Sequence, residues 1–432
     1  MQAKNRKPLA MCAAVALLLV SCAPTLMPSQ PVHSPLPEQA LPLPGEPTSV
    51  PVPAAPLSLQ RPVEHLTFGL ALFRQLAAQA PGENVFLSPP NIALALGMAA
   101  NGADGETLAE MLKTLGGEGA TLEQLNADYA ALQTLLRRND ANMQLDSAAS
   151  VWIRQGFEPK PSYLERVQQV FGAKAESADF DSPAALAAIN GWVRERTRGR
   201  IPTVVDQLPP EVVMLLITAI YFKGNWQTPF DAQATQDQPF TLENGAQVQV
   251  PLMFQSGKFE HFRSEGVQAV RLPYGDGTMW MTVIVPEEGQ SLSDVLRTLD
   301  AVRWQTWAQL FVRRKGDVFL PRFRLRYNVG LNSALNTLGI RRAFDRTTAD
   351  FRNMATAPLF ISDVRHQSFL EVNEQGSEAA AATTIEMGIT AFMPETEQFV
   401  LRADRPFLIA IEDRRVSVPL FLGAIFDPTA TP

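Results

Sequence analysis

Cysteine is nearly absent. Only Cys12 and Cys22 occur in 432 residues, both near the N-terminus, so no disulfide can staple the remainder of the chain and stability must come from a buried core. Histidine is scarce too. Beyond Pro62 there are only His65, His261 and His366, none in an HExxH or paired-Cys arrangement, which removes the usual zinc and metalloprotease chemistries. No GxSxG elbow is present. Gly275-Asp276-Gly277 reads as a tight turn between strands, with no phosphate-loop Lys-Ser/Thr behind it. Positive charge is also in deficit: 37 Lys and Arg stand against 44 Asp and Glu, a net charge of −7, which argues against a nucleic-acid partner. The clusters RERTRGR (Arg194 to Arg200) and RRK (Arg313 to Lys315) read as solvated faces, a polyanion site being the lesser alternative.

A long apolar run is missing as well. Leu9 to Val20 is the candidate, and it falls short of the roughly 20 residues a membrane-crossing helix needs. Preceded by Lys4, Arg6 and Lys7, it predicts a secretion signal. The run closes on Leu19-Val20-Ser21-Cys22, which matches a bacterial lipoprotein cleavage box, so Cys22 is expected as the lipidated first residue of the mature chain. Conventional cleavage nearby is the alternative. Loss of residues 1–21 would shift the net charge to −10.

From Ala23 to Pro62 the chain is dense in proline and has no apolar periodicity, which predicts an extended tether for residues 22–62. At about 3.1 Å per residue it reaches on the order of 120 Å. After Pro62 apolar residues return at helical spacing in Leu66, Leu70, Phe73 and Leu76. No later linker divides the chain, so residues 63–432 are expected to form one domain.

The most unusual segment inside that domain is Glu374 to Thr384, EQGSEAAAATT. Read as a strand, Ser377, Ala379, Ala381 and Thr383 line one uncharged face, and Glu378, Ala380, Ala382 and Thr384 the other. Small groups on the first face suit passage between strands of an existing sheet, with Gly376 as a free pivot. An alanine run is equally a helix former, although Thr383, Thr384 and Ile385 weaken that reading. Composition alone leaves both open.

The segment resembles the reactive-centre-loop hinge of the serpin family, and five further motifs recur in family order: NVFLSPPNIALALGMAANGADGETLAEML (Asn84 to Leu112), INGWVRERTRGRI (Ile189 to Ile201), ITAIYFKGNWQTPF (Ile217 to Phe230), LPRFRLRYNVGLNSALNTLGIRRAF (Leu320 to Phe344) and RPFLIAIEDRRVSVPLFLGAIFDP (Arg405 to Pro428). The resemblance implies an α+β serpin fold, about eight or nine helices around three β-sheets with an exposed reactive-centre loop. It implies a hinge at Glu374, Gly376, Ser377, Glu378, Ala379, Ala380, Ala381 and Ala382. Ser88, Asn91 and His366 fall on the polar shutter beneath the main sheet, and Trp226 on the tryptophan near its top. Thr218 departs from the pattern, standing where many members carry an Asn, though its hydroxyl still donates and accepts.

By the same resemblance the chain is not an enzyme and needs no cofactor or metal. It is expected to inhibit serine proteases as a suicide substrate: the loop is cut, and it inserts into the main sheet while the protease is still attached as an acyl-enzyme. Counting from Gly376 puts the reactive bond at Thr390-Ala391, with Phe392 and Met393 as alternatives. Thr390 suits elastase-like targets and Phe392 chymotrypsin-like ones; papain-like cysteine proteases stay open. The expected partner is thus a protease in a covalent 1:1 complex with a monomer, held at the cell envelope, periplasmic or outward-facing, by lipid alone. A non-inhibitory surface binding protein on the same fold is the alternative.

Overall fold

A computed structural model describes residues 58–377 and 398–430. Nine α-helices occur among them: α1 (Pro62–Gln79), α2 (Pro89–Ala100), α3 (Gly105–Gly116), α4 (Leu122–Leu135), α5 (Pro161–Phe171), α6 (Pro183–Arg196), α7 (Leu292–Thr298), α8 (Ala301–Leu310) and α9 (Asn332–Leu338). The starts of α1 to α8 are written in the sequence, whereas α9 follows Leu331 with neither a proline nor a capping side chain. Pro62, Pro89, Pro161 and Pro183 open four of them, where a missing N–H costs nothing. Thr121 caps α4 in a reciprocal box with Gln124, and Asp104, Ser182, Ser291 and Asp300 cap α3, α6, α7 and α8. The packed chain begins slightly ahead of the expected boundary, because Leu59 is already buried and the Gln60 N–H donates to Asp128.

The strands are β1 (Val85–Leu87), β2 (Arg137–Asn139), β3 (Met143–Arg154), β4 (Lys174–Ala178), β5 (Met214–Asn225), β6 (Gln236–Thr241), β7 (Gln247–Ser264), β8 (Val267–Tyr274), β9 (Met279–Pro286), β10 (Val312–Pro321), β11 (Phe323–Gly330), β12 (Asp363–Asn373), β13 (Gly376–Ser377), β14 (Phe399–Arg402), β15 (Phe407–Asp413) and β16 (Phe421–Ile425). Gly275 and Gly277, both at positive φ, make the tight turn between β8 and β9. Among the described residues, the hydrogen bonding of the expected three sheets runs as two continuous networks. The reason is the 18-residue β7, which pairs with β6 at its start, β10 along its middle and β8 at its end, and so merges two of them.

The main sheet runs β11-β12-β13-β5-β3-β2, with β4 beside β3. Its central strands are covered on both faces. Along β5, Leu216, Ile220 and Phe222 enter the large core, while Leu215, Ile217, Ala219 and Tyr221 enter a second, smaller one. The second core is closed by α6 through Ala185, Ile189 and Val193, which meet Ala148 and Trp152 of β3 and Phe369 of β12. Two-sided burial explains why these strands are apolar without a break. Beneath the other face lies α2, all twelve of its residues buried.

Candidate site of strand insertion in the main sheet

β12 and β5 are parallel partners over seven residue pairs, Asp363 to Phe369 against Leu215 to Tyr221. Above that seam they part. The gap is filled by β13, which is antiparallel to both: Gly376 lies opposite Asn373 and Asn225, and Ser377 opposite Val372 and Gly224. Only glycine fits at the first position, since φ is +152° and a Cβ would collide with the Gly224 carbonyl oxygen.

The turn into β13 is fastened at several points. The Asn373 side-chain oxygen accepts from the Gln375 and Gly376 N–H groups at 3.0 and 3.2 Å. The Trp226 indole N–H donates to the Asn373 carbonyl at 2.9 Å, and the backbone N–H groups of Trp226 and Phe230 donate to the Gln375 and Glu374 carbonyls, each at 2.8 Å. Trp226 stacks on Tyr274 with ring centroids 4.4 Å apart. The Tyr274 hydroxyl meets the fully buried Ser377 hydroxyl at 2.7 Å. Glu374, also buried, pairs with Arg322 and accepts from the Thr235 hydroxyl at 2.7 Å. Burial alone would raise the Glu374 carboxyl, but the hydrogen bonds from Arg322 and Thr235 outweigh it and hold the group below the ordinary carboxylate range.

Lower down, His366 and Thr218 face each other across the β12–β5 seam. The His366 Nε2 accepts from the Ser88 N–H at 3.2 Å, which leaves Nδ1 as the protonated nitrogen, 2.8 Å from the Thr218 hydroxyl. That hydroxyl passes its own proton to the Arg365 carbonyl at 3.3 Å. The neutral ring is therefore satisfied on both nitrogens. Complete burial pushes its pKa down to about 3. Asn91 accepts from the Ser147 hydroxyl of β3 at 2.7 Å, and the Ser368 hydroxyl donates to the Phe86 carbonyl at 2.5 Å. The Ser88 hydroxyl and the Asn91 amide nitrogen are buried without partners among the described residues.

Ser88, Asn91, Thr218 and His366 thus collect under the seam, and Glu374, Gly376, Ser377 and Trp226 around the gap above it. Glu378, Ala379, Ala380, Ala381, Ala382, Thr390, Ala391, Phe392 and Met393, and Cys22 with the signal and tether, lie outside the described residues. The sequence reading missed Tyr274, Arg322, Thr235, Asn373 and Ser147. Tyr274 alone had a local signal, as the residue leading into the Gly275 turn.

The central sheet is thus closed below, and above it Gly376 and Ser377, the start of a small-residue segment, sit between β12 and β5. The chain belongs to the serpin family: the model for serpins (serine protease inhibitors) matches residues 64–428. It is 35% identical to the leukocyte elastase inhibitor of Sus scrofa over 377 residues, covering 84% of this chain and 97% of that protein. The native-state crystal structure of the thermophilic serpin tengpin superposes with a TM-score of 0.79 at 28% identity, over 87% of this chain and 97% of that one. Human thyroxine-binding globulin, solved with its hormone, gives 0.78 at 26% identity, over 86% and 99%.

Proposed function

We propose that this serpin is an inhibitor of serine proteases that is consumed in a single turnover. The protease takes the segment after Ser377 as substrate, cuts at Thr390-Ala391 or close by at Phe392 or Met393, and is carried along as its acyl-enzyme while the freed arm becomes the next strand between β12 and β5. The observation that carries this reading is the seating of Gly376 and Ser377 in that gap, with β12 and β5 still joined below it. Continued insertion would pair roughly a dozen further backbone groups, each worth about 0.5–1.5 kcal/mol net. The native state is then metastable and held by a kinetic barrier. Similarity to an elastase inhibitor supports elastase-like targets, and Phe392 would direct it toward chymotrypsin-like ones. Cys22 and the proline-rich segment after it support a domain tethered by lipid at the cell envelope.

Incubating the soluble domain with elastase-like and chymotrypsin-like proteases and running a denaturing gel tests this directly. A 1:1 adduct stable to denaturant is expected, and mass spectrometry of the released C-terminal fragment locates the cut. Cleavage across the panel without any adduct would instead favour a non-inhibitory carrier, the kind of protein exemplified by thyroxine-binding globulin with its hormone.

A further inference from the structure

The register of β7 and β10 sets Phe254 opposite Phe319, Lys258 opposite Lys315 and Glu260 opposite Arg313. Directly opposite residues share a face of the sheet, and β14 adds Val400 to the same face beside Asp317. That face is open: Lys258, Arg313, Lys315 and Val400 are exposed, and Phe254 and Phe319, with ring centroids 5.0 Å apart, are half-buried. Arg314, the middle residue of the RRK cluster, lies on the other face opposite Phe259. The chain as a whole is acidic, at −7, yet this patch is basic. Its carboxylates are engaged elsewhere, Glu260 with Arg271 and Arg414, and Asp317 as acceptor from the Gln398 side chain at 3.0 Å. Among the described residues Lys258, Arg313 and Lys315 have no ion-pair partner. Like charges directly opposite destabilise a sheet, so the fold gains nothing from Lys258 beside Lys315.

Position supplies the partner. Gln398, bonded to Asp317 on this face, follows Ala391 by only seven residues, a span of at most about 25 Å. A protease of ordinary domain size is on the order of 45 Å across, so one seated on Thr390-Ala391 reaches the patch. An apolar centre with a charged rim is also the anatomy of a protein–protein contact, whereas a polyanion needs no aromatic centre. We propose that this face is a second contact for the target protease, and that it favours enzymes whose surface beside the active-site cleft is acidic. The proposal rests on the reading above, that a protease attacks the loop, and adds to it a specificity determinant outside the loop. Opposite charge at the two surfaces speeds their encounter and fixes its orientation.

The test measures the second-order rate of attack on the loop of the full domain, counting adduct and cleaved product together, so that it reads the encounter whether or not the protease is trapped. Two elastase-like proteases that cut the loop are compared, one acidic and one basic around the cleft. Lys258→Gln with Arg313→Gln and Lys315→Gln should slow the acidic enzyme about tenfold or more at low ionic strength and should not slow the basic one. In 1 M salt, where charges are screened within about 3 Å, the loss should shrink below about threefold. Lys258→Arg with Lys315→Arg should keep the wild-type rate. The glutamine variant should melt no lower than the wild type, since a repulsive pair is gone. An unmoved rate with the acidic enzyme, equal slowing of both enzymes, or a loss that persists in 1 M salt would each overturn the proposal. Saturable binding of heparin without any rate difference would assign the face to polyanions instead. Rates that respond to the face while no enzyme yields an adduct would overturn only the inhibitory reading.

Discussion

His366 shows how one buried ring fixes its surroundings. With Nε2 accepting from Ser88 and Nδ1 donating to Thr218, the ring must stay neutral, and its pKa of about 3 lies far below the ordinary 6.5 of an exposed histidine. Because the folded value is depressed, the unfolded chain takes up the proton first. Stability from this group is complete above about pH 6.5 and drains as pH falls toward 3, at about 1.4 kcal/mol per pH unit. Comparing urea midpoints of the wild type and His366→Gln at pH 6.5 and 5.5 checks it: the gap between them should narrow by about 1 kcal/mol on acidification, since the unfolded ring is already half protonated at pH 6.5. His261, lowered to about 4 chiefly by burial, contributes in the same sense to both proteins and cancels in the difference. Thr218→Val removes the acceptor for Nδ1–H at nearly constant shape and should cost about 1–3 kcal/mol, the penalty for stranding a buried donor. An unchanged unfolding midpoint would mean that the hydroxyl is dispensable.

At the scale of single elements, β13 decides how far the sheet is open. Gly376→Ala places a methyl group against the Gly224 carbonyl, and the cheapest relief is withdrawal of the hinge, so β12 and β5 should close over it. Hydrogen exchange at Asn225 and Asn373, and exposure of Trp226 read by fluorescence quenching, should both change. Ser377→Glu acts differently, by asking a carboxylate to enter a fully buried slot beside Tyr274. Uncompensated burial of a charge costs several kcal/mol, so the variant should be cleaved by proteases that the wild type traps, with stable adduct reduced at least tenfold on a gel.

The elements themselves were readable to different degrees. Apart from α9, helix starts were visible in their prolines and capping residues. Of the family motifs, INGWVRERTRGRI falls largely on α6, which covers the main sheet, and NVFLSPPNIALALGMAANGADGETLAEML runs from β1 through α2 into α3. The strand character of Gly376 and Ser377 was not decided by local composition, since alanine favours helix; the pairing comes from β12 and β5, elements outside the segment. Similarly, the contacts of Ser377 with Tyr274 and of Glu374 with Arg322 join residues 103 and 52 positions apart. Such pairs leave no periodicity to read. The union of two sheets through β7 was hidden for a related reason: strand length is visible in a sequence, but the sharing of partners is not.

For the whole molecule, the proposed trap requires that the starting fold not be the most stable one. The described residues hold a sheet with one interior slot two residues deep, and the arm that would deepen it is rich in small side chains. Completing the strand adds about a dozen hydrogen bonds at roughly 0.5–1.5 kcal/mol each, on the order of 10 kcal/mol before apolar burial is counted. Unfolding entropy near 2.1 cal/mol/K per residue, over about 370 residues, gives close to 0.8 kcal/mol per degree. Cutting the arm should therefore raise the thermal midpoint by on the order of 10–20 °C. Scanning calorimetry of the intact and clipped domain measures this, at several scan rates because the intact form unfolds under kinetic control. The clipped domain should also refuse a synthetic peptide of residues 376–389, its slot being filled, whereas the intact one should take the peptide up and lose inhibition. A clipped form that melts with the intact one would mean that the arm stays outside, and the work of distorting a protease would then have no source.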